Sequence, residues 1–271
     1  MGVSVYHRLL LPVNSPAEVE PLIRFASTLL DADGEIRLLH VIPTTTMPEV
    51  TREWRASVNL VVPAHEAGAA LDVRVEPEVR ASTDVPGEIL DSAETHQTDG
   101  ILLGLGGDRR SRNPFVGHTA SGVLHHAQTD VLILNRLALA APRVPRILVP
   151  SLHGPPPPRL MQLAEQLAIR NNGVPVVTIG LGPGKGQADE EEDRTSRGVP
   201  TRHRHSFVSS SLLARRSYHA QLILQSAARE RYGFLLVGEE HMSAEGPPLL
   251  TRPFLETLFR SAPCPVLALR T

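Results

Sequence analysis

Three glycines at fixed spacing, Gly104, Gly107 and Gly117, are the residues of this chain best suited to hold an anion. Gly104 and Gly107 end an apolar run that begins at Gly100. Gly117 follows after nine intervening residues, and His118 and Thr119 lead into a helix-like segment from about Thr119 to Ala127. A second apolar run, Val131 to Leu134, closes the unit. Glycine lets a backbone approach a phosphate closely. The first N–H groups of a helix have no intrahelical partner and point at whatever anion lies there. Strand, glycine turn, loop, glycine and helix start thus form an arrangement for holding phosphates. Arg109, Arg110 and Arg112 stand in the loop, either as further phosphate contacts or as a solvated surface.

Other constellations carry less chemistry. Gly180-Leu-Gly-Pro-Gly-Lys-Gly186 has the composition of a phosphate loop but not its spacing: Ile179 stands where the leading glycine belongs, and Gly186 where a Ser or Thr should follow the lysine. It reads as a flexible linker. His203 and His205 lie two apart on an expected strand, and His125 and His126 are neighbours on an expected helix that point apart, so neither pair forms a metal site. The acidic run Asp189–Asp193 reads as a solvated segment. No Ser, His and Asp set falls into a nucleophile arrangement.

The elements that must position the glycines follow from periodicity. Apolar runs predict strands at Arg8–Val13, Glu35–Ile42, Leu71–Arg80, Gly100–Leu105 and Val131–Asn135. Three-to-four spacing predicts helices at about Ser15–Asp31, Pro48–Gly68, Gly87–Thr95 and Thr119–Ala127. Ser15-Pro16 fits a cap followed by a proline in the first turn. Strands alternating with helices imply crossovers and a parallel sheet covered on both faces.

The opening then repeats. Arg146-Ile-Leu-Val-Pro150 echoes Arg8-Leu-Leu-Leu-Pro12, and Phe254–Val266 parallels Ala120–Val131. A helix at Pro157–Asn171 and a strand at Val174–Ile179 continue the second copy. Leu181–Pro200 departs from the repeat and reads as a mobile loop with one helical turn at Asp189–Arg194. Two similar α/β domains in tandem are expected, at residues 1–138 and 144–271.

Bulk properties exclude several classes. The chain of 271 residues has 41% hydrophobic residues and a formal charge of −2, which gives no electrostatic case for nucleic acid or an anionic membrane surface. Of its 27 basic residues only Lys185 is a lysine, and the arginines are scattered. No stretch approaches the roughly 18 apolar residues needed to span a bilayer. The single cysteine, Cys264, suits a reducing cytoplasm and reads as a buried small residue. A cytoplasmic protein is expected.

The spacing Gly104-x2-Gly107-x9-Gly117, the opening Arg8–Val13 and the strand ending Leu38-Leu-His-Val-Ile42 resemble the universal stress protein family. The resemblance covers nearly the whole chain, twice. It implies an α/β fold of two tandem open-sheet, Rossmann-like domains of the adenine nucleotide alpha hydrolase type, each with a five-stranded parallel sheet in the order 3-2-1-4-5. It further implies that Pro12, Asn14 and Val41 face a base and ribose, and that Gly104, Gly107, Gly117, His118 and Thr119 face phosphates. Two residues depart from the family pattern: Asn14 stands where nucleotide-binding members have aspartate, and His118 where they have Ser or Thr. In the second copy Glu239-Glu240-His241 replaces the second glycine, Ser151-Leu152 replaces the aspartate, and Arg252-Pro253 replaces the last glycine. That copy is expected to be degenerate.

The function so implied is a regulatory module of the stress response, a dimer of its kind, binding ATP or AMP in the first domain. It is not an enzyme beyond slow ATP hydrolysis, and it holds no metal beyond a magnesium accompanying the nucleotide. Family members pair their last strands between subunits, so an intramolecular pseudo-dimer and a homodimer of chains are the expected partnerships. The alternatives are a soluble regulatory portion of a membrane transporter and a scaffold without ligand.

Overall fold

The computed structural model describes residues 5–105, 117–135, 146–151, 155–180, 190–194, 200–205, 216–238 and 252–271. By contacts the chain divides into two compact units, residues 3–134 and 135–271. The first contains β1 (Tyr6–Pro12), α1 (Pro16–Ser27), β2 (Leu30–Ile42), α2 (Met47–Ala56), α3 (Val58–Leu71), β3 (Arg74–Ala81), α4 (Val85–Thr95), β4 (Gly100–Leu105), α5 (His118–His126) and β5 (Asp130–Asn135). Its strands lie in the order β3-β2-β1-β4-β5. β1 runs parallel to both β2 and β4, and β2 parallel to β3.

Local chemistry accounts for the elements. Ser15 is extended and its side chain accepts from the Ala17 amide, so Pro16 enters the first turn of α1 where its missing donor costs nothing. Val19, Leu22, Ile23 and Ala26 recur at three-to-four spacing and are fully buried against the sheet. Asp84 caps α4 in the same way, accepting from the Gly87 amide at 3.1 Å. Apolar side chains of β1, Leu9 to Leu11, are wholly buried on both faces, as a central parallel strand requires.

The expected single helix at Pro48–Gly68 is two helices. Ser57 ends α2 and precedes α3. Its hydroxyl donates to the Glu53 carbonyl at 2.9 Å, beside the Ser57 amide's own bond to that carbonyl, and the residue is buried. α2 itself buries no residue, so no packing face forces it to remain collinear with α3.

The second unit contains β6 (Ile147–Ser151), α6 (Pro158–Arg170), β7 (Val176–Gly180), β8 (Glu190–Arg194), β9 (Pro200–His205), α7 (Arg216–Arg229), β10 (Phe234–Gly238), α8 (Arg252–Ser261) and β11 (Val266–Arg270). Its strand order is β11-β10-β6-β7-β9-β8. The first five of these reproduce 3-2-1-4-5 with parallel pairing. The sixth is a correction to the sequence reading. Residues 190–194 are not a helical turn in a loop but a strand, antiparallel to β9. The remaining parts of the expected loop, 181–189 and 195–199, lie outside the described residues.

The two units share one packing detail. A Cβ placed on Gly104, in β4, would lie 3.0 Å from Cδ2 of Leu22 in α1. A Cβ on Gly238, in β10, would lie 2.8 Å from Cδ2 of Leu160 in α6. In each unit a side chain on that glycine would require the leucine of the first helix to give way.

Candidate functional site

β1 and β4 are neighbours whose crossovers leave in opposite directions, α1 toward β2 and α5 toward β5. In an open α/β sheet the carboxyl ends of two such strands frame a crevice for ligands. The wall at the end of β1 is firmly built. The Val13 amide donates to the Leu39 carbonyl at 2.8 Å, and the Val13 carbonyl lies 3.0 Å from Nδ1 of His40. The Ser15 carbonyl accepts from the Glu18 amide at 3.1 Å as α1 begins. Asn14 is thereby held, exposed, between a pinned strand end and a capped helix. His40 lies in the strand Leu38–Ile42 that carries the resemblance, yet motif reading gave it no role of its own. The signal was a lone polar ring inside an apolar strand, and only the fold shows that it supports the Asn14 corner.

Register decides which expected residues face the same way. Pro12 pairs with Leu39, so Pro12, Leu39 and Val41 project from one face of the sheet. α4 covers that face: Ser92 Oγ donates to Glu78 at 2.9 Å, and Glu78 pairs with Leu39. α5 lies against α4, since a Cβ on Gly122 would stand 2.9 Å from Cβ of Pro86. The start of α5 therefore lies on the Pro12–Val41 face and at the carboxyl edge of the strands. Gly117 and His118 are exposed and Thr119 half-buried. Gly117 precedes the helix at φ −62° and ψ 177°, without a side-chain cap, and its carbonyl takes the first helical bond from the Ser121 amide at 2.9 Å. The amides of residues 118–120 precede that first bond, as the anion-binding reading requires.

Gly104 faces the other way. Leu10 pairs with Ile101, and alternation along β4 turns Gly104 toward α1, where Leu22 fills the space of its missing side chain. Only its backbone is offered to the crevice. Gly107 and the loop arginines Arg109, Arg110 and Arg112 lie outside the described residues.

Among the described residues, Arg80 at this edge is already committed to carboxylates. Arg80 pairs with Val41 in register and is bonded to Glu78 at 2.6 Å, to Glu88 at 3.2 Å and to Asp91. Burial alone would lower the Arg80 pKa, but hydrogen bonds to Asp91, Glu78 and Glu88 outweigh it and raise the pKa. Burial pushes the Glu78 carboxyl up, yet bonds from Arg80 and Ser92 leave it below its ordinary value. His96 Nε2 stands 3.3 Å from the same carboxylate. This cluster ties β3 to α4 and presents no free cation to a phosphate.

In the second unit Ser151 ends β6 and is buried, and Arg252-Pro253 forms the first turn of α8, where proline removes an amide donor. Glu239-Glu240-His241 lies outside the described residues. Cys264 is buried, and burial pushes its thiol up to about 11. His125 Nδ1 lies 2.7 Å from the Ser121 carbonyl in the last turn of α5. Among the described residues no group of three or more His, Cys, Asp or Glu could hold a metal ion, and no helix is long and apolar enough to cross a membrane.

Residues 5–135 match the model of the universal stress protein family. A universal stress protein from Archaeoglobus fulgidus DSM 4304 is similar to the chain at 17% identity and a TM-score of 0.65, over 98% of this chain and 96% of that one. A functionally unknown protein from Pseudomonas aeruginosa PAO1 is similar at 10% identity and a TM-score of 0.62, over 98% and 92%. At these identities the likeness is one of fold. A further universal stress protein from Archaeoglobus fulgidus, solved in complex with dAMP, is 17% identical over 48% of this chain and 98% of its own, with a TM-score of 0.36. No curated protein sequence matches the chain.

Proposed function

We propose, on the premise that residues 5–135 belong to the universal stress protein family, that this unit binds an adenine nucleotide, ATP or AMP, and acts as a regulatory module of the stress response. The observation that carries the reading is the placement of Pro12, Val41 and the uncapped start of α5 on one face and at one edge of the sheet. Apolar side chains suit the faces of a base, and free amides suit phosphate oxygens. Asn14 recognises a ribose hydroxyl through a neutral amide in place of the family's carboxylate. His118, in the first turn, donates to a phosphate from its ring. A magnesium ion belongs to the reading only as a companion of the nucleotide.

The unit works by binding. A ligand shifts a protein between states only through its differential affinity for them, and slow hydrolysis of a bound ATP is the most chemistry this reading assigns. The second unit takes no nucleotide: Pro253 withdraws an amide, and Glu239 and Glu240 would repel phosphate. Denaturing the purified chain and separating the supernatant by chromatography with mass detection tests the reading. ATP or AMP near one per chain supports it. A supernatant without adenine nucleotide, from protein that also takes up no added ATP in calorimetry, refutes it.

A further inference from the structure

Among the described residues, the second unit carries a strand with no counterpart in the first. In the first unit the sheet ends at β3, the third strand of the repeat. In the second unit the equivalent strand, β9, bears β8 on its outer side. The antiparallel register sets Glu190 opposite Arg204, Glu191 opposite His203, Glu192 opposite Arg202 and Asp193 opposite Thr201. Alternation assigns positions 190 and 192, with their partners 204 and 202, to one face of the ladder, and positions 191 and 203 to the other.

By composition β8 is a poor strand. Glutamate and aspartate are depleted from strands, and four consecutive carboxylates repel one another. Among the described residues it has a single neighbouring strand. Two things favour it at this edge, main-chain pairing and an opposite strand rich in arginine and histidine. Neither depends on β8 in particular, because any extended acidic segment offers both. Sheet edges are general templates for strand addition, and proteins cover them with segments of their own.

We propose that β8 is an intramolecular occupant of a strand-addition site on β9, and that this site takes an extended acidic segment of a partner protein when β8 leaves. Positions 202 and 204 select for carboxylates, and the ladder supplies the rest of the affinity. The inference rests on the second unit alone and stands independently of the nucleotide reading.

The test uses the full chain and a fluorescein-labelled synthetic peptide with the sequence of residues 187–195, read by anisotropy. A control peptide has the four acids at 190–193 changed to their amides. The E190R/E192R variant reverses charge opposite Arg204 and Arg202 and releases β8. A second variant replaces residues 190–194 by glycine and serine at equal length. The released variants bind the acidic peptide about tenfold tighter than wild type and prefer it about tenfold over the amide peptide, a preference that weakens as salt rises. Equal binding of the two peptides, or binding by both variants no tighter than by wild type, overturns the proposal. Loss of the fold in both variants by circular dichroism also overturns it, since a strand able to leave is not required by the sheet it covers.

Discussion

Replacing Gly117 by valine separates the ligand role of that residue from any backbone role. Gly117 is exposed and sits at φ −62° and ψ 177°, a conformation open to every residue, so the backbone accepts valine. Exchanging one weak capping residue for a poorer one costs about 0.5–1 kcal/mol. For a unit of this size that lowers the melting temperature by about 2–5 °C. The branched side chain meanwhile stands where a phosphate would meet the amides of residues 118–120. A ligand at a hundred times its Kd stabilises the folded state by about 2.7 kcal/mol, or about 10 °C on the same scale. The chain has one tryptophan, Trp54 in α2, so its emission follows the first unit selectively. Wild type heated with excess ATP and magnesium should melt about 10 °C above the apo protein, and Gly117→Val should show its small apo loss and no rise. If the variant rises as wild type does, the start of α5 is not where the nucleotide binds.

The close approaches at Gly104 and Gly238 predict that Gly104→Ala and Gly238→Ala each destabilise by about 0.5–2 kcal/mol in urea, overpacking outweighing the entropy that alanine removes from the unfolded chain, with the larger loss at Gly238. Arg80→Met should cost about 1–2 kcal/mol at neutral pH, allowing for solvent screening of partly exposed pairs. Glu78 titrates below its ordinary value of 4.5 in the fold, so its contribution is present above that pH and lost as the pH falls. The gap between wild type and Arg80→Met should therefore close on acidification, and a gap independent of pH would refute the assignment. Cys264 should resist a thiol reagent such as dithionitrobenzoate at pH 8 in the native chain and react fully in urea, its thiol being buried and pushed up to about 11.

Much of the first unit was legible because its signals are local and agree. The run Leu9–Leu11, the Ser15 cap and the spacing Val19, Leu22, Ile23, Ala26 each fix an element without help from distant residues. What was not legible depends on partners. Residues 190–194 have the composition of a solvated loop, and their strand depends on pairing with β9, a partner that no local signal announces. Ser57 looks like one more helical residue until its hydroxyl is seen bonded to the Glu53 carbonyl. His40 stands inside the strand motif Leu38–Ile42, but its role was hidden, since its partner, the Val13 carbonyl, is a backbone atom just past the end of the neighbouring strand.

The two repeats also show how much each glycine of the spacing says about a ligand. Gly104 and Gly238 meet Leu22 and Leu160 in the same way, yet the residues after Gly238 are Glu239 and Glu240 rather than a second glycine. A glycine retained where the rest of the loop is lost must answer to something that both units still need, and the helix pressed against the fourth strand is that need. The first glycine of the spacing therefore has a packing reason in both units that needs no anion. Information about an anion resides in the positions that differ between the units, Gly107 and Gly117 against Glu240 or His241 and Arg252-Pro253. It follows that adding a side chain at Gly104 should lower stability in both the presence and the absence of ATP, whereas adding one at Gly117 should change chiefly the difference between them.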